Sequence, residues 1–467
     1  MDPRLKAEDD EVWGSVHAKL RRRGTRKLLE LLQHLASYRP FPPISVMLGL
    51  DPRLSGLKRV DTAHGVDSTH VRAFGDVPGH GKRSNTVRHD NSVFHDLLKR
   101  IPWTAFERLV EEHQADKHVR RLSTKSQLIA LLYGQLPAPS ACERSSARCR
   151  ATAARLYHLG ARPVSRSTLA DANGLRPSTV FAELFAQMVA RAGRGVKRVV
   201  GEAVYLIDGS SLRLSGAGSH WARFSDQACG AKMHVVYDAN AERPIYAAVT
   251  AANVNDITAA KEMPVEAGAT YVFDLGYYDF GWWAKLDAAG CRIVTRLKSH
   301  TKLAVSAEQA ANEDAGILFD RIGLLPQRQA RSRRNPMNRP VREIGVRIET
   351  GKVLRIFSND LTSPAEEIAA LYKRRWEIEL FFRWVKQTLK IRHFLGNSEN
   401  AVRIQIAVAL IAYLLLQMAK ADQITVTSPL AFARLVRANL MHRKRIDRLL
   451  KPRSSPPANP GQMSLQW

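Results

Sequence analysis

Glu202–Asp208 reads EAVYLID, an apolar run of strand length that stops on a carboxylate. Short continuous apolar runs bounded by polar turn residues mark strands buried on both faces. KMHVVYDA (232–239) and IYAAVTA (245–251) continue in the same style and read as two hairpin neighbours of the first strand. The order then changes. A helix is expected over DITAAKEMPVEAG (256–268), a strand over TYVF (270–273) running into Asp274, a helix over DFGWWAKLDAAG (279–290), and a fifth strand over CRIVTRL (291–297).

Three strands in hairpin order followed by helix–strand–helix–strand is an α/β sequence, and it matches a ribonuclease-H-like core: a mixed sheet flanked by helices, with the first and fourth strands side by side. KLAVSA (302–307), REIGVRIET (342–350) and KVLRIFSND (352–360) are strands of a β-rich insertion, with the basic run PQRQARSRRNPMNRPVR (326–342) among them. Upstream, SVFHDLLKRIPWTAFERLVEEHQ (92–114) and STKSQLIALLYGQL (123–136) are helical by period, the second capped by Ser123 or Thr124. Residues 165–193 give a short helix, a turn at Gly174 and a second helix opened by Pro177. That outline fits DNA reading and equally fits two ordinary packed helices. The expected organisation is an atypical, disordered extension over 1–90, a mostly helical N-terminal DNA-binding domain over 91–195, the core over 196–300 and 361–420, the insertion over 301–360, and a basic helical tail over 421–467.

Charge narrows the function. Seventy-one Lys and Arg against 44 Asp and Glu leave +27 in 467 residues, a surplus that self-repels unless it meets a polyanion such as nucleic acid. The four cysteines (142, 149, 229, 291) show no CxxC spacing, so neither a zinc ribbon nor a disulfide framework is suggested. The apolar run Ile406–Leu416 is shorter than the roughly 20 residues of a membrane span and reads as a core helix.

Tyr372–Lys390, YKRRWEIELFFRWVKQTLK, supplies the chemistry. Taken as one helix at about 100° per residue, it aligns Tyr372, Arg375, Glu379 and Lys386 on one stripe, with Arg383 and Lys390 close by. Ile378, Phe381, Phe382, Val385 and Leu389 form the core face, and Glu377 points elsewhere. Glu379 is the acid with a candidate role. A lone carboxylate among cations can simply pair with them, and an aspartate at a strand end can simply form a turn. The sheet order, however, sets Asp208 beside Asp274, and a helix packed on that sheet brings Glu379 to the same point. Three clustered carboxylates repel one another unless cations lie between them. Two Mg2+ ions, about 3.5–4 Å apart, suit oxygen ligands and in-line attack on phosphodiesters. The basic stripe then holds the DNA backbone.

The spacing Y-x2-R-x3-E-x6-K, filled by Tyr372, Arg375, Glu379 and Lys386, resembles the signature of the insertion-sequence-four family of DDE transposases. YLIDGSSLRLS (205–215) and YVFDLGYYDFGWW (271–283) resemble the family's two aspartate blocks, GAKMHVVYD (230–238) the strand after the first, and residues 91–113 the helical N-terminal domain of one branch. The likeness runs from about 91 to about 450. It implies Asp208, Asp274 and Glu379 as catalytic and metal-binding residues, with Mn2+ able to replace Mg2+. It implies transposon-end phosphate contacts for Arg375, Lys386 and Tyr372. The reaction implied is hydrolysis at the element's ends and then strand transfer into target DNA, within a synaptic homodimer in the cytoplasm, associated with the nucleoid and with no membrane. An inactive DNA-binding remnant, or a nuclease or resolvase on the same fold, are the alternatives. Three departures are noted: Leu275 where many members carry Arg; a proposed translation start at Val87; and PAPSACERSSARCRATAAR (137–155), which lacks any apolar period and reads as a compensated frameshift.

Overall fold

A computed structural model describes residues 92–136, 164–195 and 203–450, apart from 217, 226–227, 329–333, 390, 392–393 and 443–444. Val87, segment 137–155 and Lys390 therefore lie outside the described residues.

Among the described residues five helices come first: α1 (Val93–Leu98), α2 (Trp103–Glu112), α3 (Thr124–Gln135), α4 (Arg166–Leu175) and α5 (Ser178–Gly195). Ser92, Ser123 and Ser165 cap three of them, each hydroxyl accepting the N–H three residues on. Gly174 falls inside the last turn of α4 rather than in the connection, which is made at Arg176–Pro177. The turn is fixed by Asn400, whose side chain donates to the Asn173 and Arg176 carbonyls and accepts from the Ser178 N–H.

Nine strands form one sheet in the order β3-β2-β1-β4-β5-β9-β8-β7-β6. They are β1 (Val204–Leu214), β2 (Cys229–Asp238), β3 (Arg243–Ala251), β4 (Thr270–Phe273), β5 (Arg292–Arg296), β6 (Ala304–Gln309), β7 (Ile317–Leu324), β8 (Val341–Arg347) and β9 (Val353–Ser358). β1 pairs antiparallel with β2 and parallel with β4, as the ribonuclease-H-like order requires. The insertion is no separate sheet, because β9 pairs with β5 and carries the core sheet onward. Between the strands lie α6 (Asp256–Lys261) and α7 (Phe280–Ala288), and after them α8 (Ala365–Arg374), α9 (Trp376–Thr388), α10 (Glu399–Ala421), α11 (Pro429–Ala438) and α12 (Ile446–Leu449).

Period-two alternation divides the core. Val204 and Leu206 of β1 and Val272 of β4 face the cluster that contains the N-terminal helices, α9 and α10. Tyr205, Ile207, Tyr271 and Phe273 face the opposite cluster, which is built on Trp282, Trp283 and Leu286 of α7. With 23 residues, α10 is the buried spine, packed by α3, α4, α5 and α11. The apolar run read as a core helix is one.

Three further expectations are corrected. β1 does not end at Asp208 but runs to Leu214, since β2 pairs it along its whole length. α6 stops at Lys261, before Pro264, whose ring cannot continue a helix. Tyr372–Lys390 is not one helix: α8 ends at Arg374, and Arg375 is the junction to α9.

Candidate active site

Parallel pairing of β1 with β4 ends at Ile207↔Phe273, so Asp208 and Asp274 stand at the first position beyond it on adjoining strands. By alternation both fall on the face covered by α9. Asp208 is 4% exposed and accepts the Gly209 N–H at 2.7 Å. Asp274 caps a single 3-10 turn, Leu275–Tyr277, accepting the Gly276 N–H at 2.8 Å. Leu275 opens that turn.

Glu379 sits in the first turn of α9, whose Ile378, Phe381, Phe382 and Val385 are buried against the sheet. It forms a salt bridge with Arg375, and both side chains are nearly buried. Burial by itself disfavours the Arg375 charge, but Tyr372, Glu379, Asp274 and Asp208 around it hold the guanidinium pKa above the usual arginine range. Arg375 is thus paired with Glu379 and stabilised by the charges of Asp274 and Asp208, seated over the Tyr372 ring at 5.9 Å from its centroid. Glu377 pairs with Arg374 at 3.0 Å, away from this group.

The cations of the stripe separate by exposure. Arg383 is exposed, 5.5 Å above the Trp376 ring, and Lys386 is half-buried. Tyr372 is 7% exposed.

A second group was not anticipated. Asp256, the first residue of α6, lies 3.5 Å from His234 Nδ1 and 3.2 Å from Lys232 Nζ, both on β2. The lysine donates to the Val254 carbonyl at 3.1 Å, and its approach to Asp256 Oδ1 is Coulombic rather than an aligned hydrogen bond. His234 is fully buried, with Nε2 2.8 Å from the Thr250 hydroxyl. Burial first, then Lys232, push its pKa down to about 4 against the opposing pull of Asp256. Tyr277 is also fully buried; desolvation and then the charges of Asp208, Asp256 and Asp274 raise its hydroxyl pKa well above the usual value. His234 Nδ1, Asp256 Oδ1 and Tyr277 Oη have no hydrogen-bond partner among the described residues. Nothing in the sequence flagged Asp256, because an aspartate opening a helix is ordinary.

Carboxylate oxygens are the donors that a hard divalent cation takes, so the chemistry of the set fits one. As they stand, no three His, Cys, Asp or Glu side chains among the described residues enclose a metal position. Glu379 is held by Arg375 instead.

The family described as Transposase DDE domain matches residues 201–415, and Domain of unknown function (DUF4372) matches 89–162. "Putative transposase y4zB" of Sinorhizobium fredii is 41% identical over 293 residues, 62% of this chain and 81% of the relative. "Probable transposase for insertion sequence element IS5377" of Geobacillus stearothermophilus is 26% identical over 245 residues, 52% of this chain and 63% of that one. Among solved structures, a piggyBac transposase synaptic complex with hairpin DNA aligns with 11% identity over 78% of this chain and 81% of its own, at a TM-score of 0.39 that adds nothing to the fold.

The fold and its matched domain define a DDE-type transposase. More narrowly, the chain belongs to the insertion-sequence transposases, and its features fit the insertion-sequence-four family expected above. Enzymes of the DDE class are nucleases and transesterases that act on DNA and generally use divalent metal ions.

Proposed function

We propose that this copy is itself catalytic, with Asp208, Asp274 and Glu379 as the acids that carry two Mg2+ ions, or Mn2+ in their place. The observation that supports the reading is that Asp208 and Asp274 stand at adjoining positions just beyond the β1–β4 pairing, on the face covered by α9, and that both, with Glu379, favour the charge of the buried Arg375 guanidinium. Such ions, when bound, activate a water or 3′-hydroxyl and stabilise the leaving oxygen.

The chain's own residues do the rest. Asp208 and Asp274 accept the backbone N–H groups of Gly209 and Gly276, which orients both carboxylates. Arg383, Lys386 and Lys390 bind the phosphate backbone of the element's end. Arg375 exchanges Glu379 for a phosphate, with Tyr372 behind it. Residues 91–195 read the terminal inverted repeats, 196–300 with 361–420 form the catalytic core, 301–360 the insertion and 421–467 the basic tail. The reaction is hydrolysis at the ends followed by strand transfer into target DNA, each active site of a homodimer serving one end, in the cytoplasm on the nucleoid.

Asp208→Ala tests this. End-DNA binding is expected to survive and Mg2+-dependent cleavage to disappear. Wild-type protein that binds but never cleaves is the inactive remnant. Wild-type protein that cleaves yet never joins a pre-cut end is a nuclease.

A further inference from the structure

Asp256 sits where the two faces of the sheet meet. Beyond Ile207, β1 has no partner on the β4 side, because β4 stops at Phe273. Asp208 and Asp274 line this crevice from the α9 face. Asp256 reaches it from the opposite face, past Gly209. A Cβ on Gly209 would stand 2.5 Å from Asp256 Oδ1 and 3.2 Å from His234 Nδ1. A Cβ on Gly276 would stand 2.9 Å from Asp274 Oδ1 and 3.3 Å from Asp256 Oδ2. Neither glycine has a positive φ, so the backbone does not demand glycine at either place. What excludes a side chain is the space that the carboxylates occupy.

The two oxygens of Asp256 have different surroundings. Oδ1 is buried against Lys232 Nζ and His234 Nδ1. Oδ2 borders the space that a Cβ on Gly276 would fill, at 3.3 Å, and Asp274 Oδ1, which accepts the Gly276 N–H, borders it at 2.9 Å. A carboxylate with one oxygen fixed and the other presented beside a second carboxylate is arranged as a ligand is. The unmet polar atoms around it point the same way: Nδ1 of the fully buried His234 and Oη of the fully buried Tyr277 have no hydrogen-bond partner among the described residues. Neighbours of that kind orient and tune metal ligands.

We propose that Asp256 is a fourth acidic ligand of the divalent-cation site, offering Oδ2 to the ion held by Asp274. The proposal rests on the reading of Asp208, Asp274 and Glu379 as metal ligands. It has a structural rationale of its own. Mg2+ is commonly held by one or two carboxylates plus substrate phosphate oxygens. Asp274 with Asp256 makes such a pair, while Glu379 is held by Arg375.

The test is Mn2+ uptake by the full chain without DNA, followed by electron paramagnetic resonance and calorimetry, with thermal melting in EDTA alongside. Asp256→Asn is expected to weaken Mn2+ binding roughly 10- to 100-fold, with no fall in melting temperature in EDTA. Gly276→Ala sets a methyl group between the two oxygens without changing charge, and is expected to weaken Mn2+ binding in the same direction. A second readout needs no variant. With Fe2+, ascorbate and peroxide, the wild-type chain should be cut near 255–257 as well as near 207–209 and 274–276. Unchanged Mn2+ affinity in Asp256→Asn, or no cut near 255–257 while the other two appear, overturns the assignment of Asp256. Mn2+ affinity that also survives Asp208→Asn and Asp274→Asn overturns the underlying metal reading, as does a wild-type chain that takes up no Mn2+ at millimolar concentration. Loss in those two with none in Asp256→Asn leaves the underlying reading standing and removes only Asp256.

Discussion

His234 shows how a single buried group sets a pH limit on this fold. Its imidazole is neutral in the folded chain, with the pKa pushed down to about 4 by burial and by Lys232. The unfolded chain, with an ordinary histidine pKa of about 6.5, binds the proton first as pH falls. The unfolded state therefore carries more protons between those two values, and stability rises with pH across the window. Full stability is present above pH ~6.5 and is lost progressively toward pH ~4, by an amount on the order of 3 kcal/mol. Urea midpoints in EDTA should fall over this window more steeply for wild type than for His234→Gln. Parallel curves for the two proteins would show that the imidazole is not the group responsible. Arg375 is the counterpart on the other face of the sheet. Removing it by Arg375→Gln leaves Asp208, Asp274 and Glu379 without their shared cation, so the melting temperature in EDTA should drop, and added Mn2+ should restore more of it than in wild type.

At the scale of elements, legibility followed the strength of the local pattern. TYVF became β4 at its expected residues because a four-residue apolar run between polar neighbours has few alternatives. β7 was missed: its apolar residues do not alternate cleanly, since a register irregularity falls between Ile317 and Phe319. The break at Arg375 was missed because helical periodicity over 372–390 is good on both sides of it, and Arg375 itself keeps helical backbone angles. Asp208 and Asp274 could be paired from strand order alone. Asp256 could not, because its role depends on two glycines that matter only through what they make room for. The insertion carries its own testable element. Arg342 of β8 meets Asp320 of β7 through two hydrogen bonds, 2.8 and 2.6 Å, with the side chains 3% and 2% exposed. Asp320→Ala strands a buried guanidinium and should cost about 3–5 kcal/mol. The double replacement Asp320→Leu with Arg342→Met should recover much of that in a denaturant titration, since paired apolar groups avoid the desolvation of two ions.

For the molecule as a whole, the surplus of +27 sets how it meets DNA. Each phosphate neutralised by Lys or Arg releases condensed counterion, so the logarithm of affinity should fall linearly with the logarithm of salt, by about 0.9 per contact. The site geometry divides that slope among residues. Arg383 is exposed on α9 and Lys386 is half-buried one turn further on, so Arg383→Gln and Lys386→Gln should each lower the slope by about one and weaken all duplexes alike. Asp208→Ala removes a negative charge at a buried position and should keep the wild-type slope, with affinity equal or higher. Filter-binding or anisotropy titrations between about 50 and 200 mM salt cover the range in which several contacts become visible. A slope that ignores Arg383 and Lys386 would move the DNA path off α9, and the basic residues of the N-terminal helices or the insertion would then have to carry it.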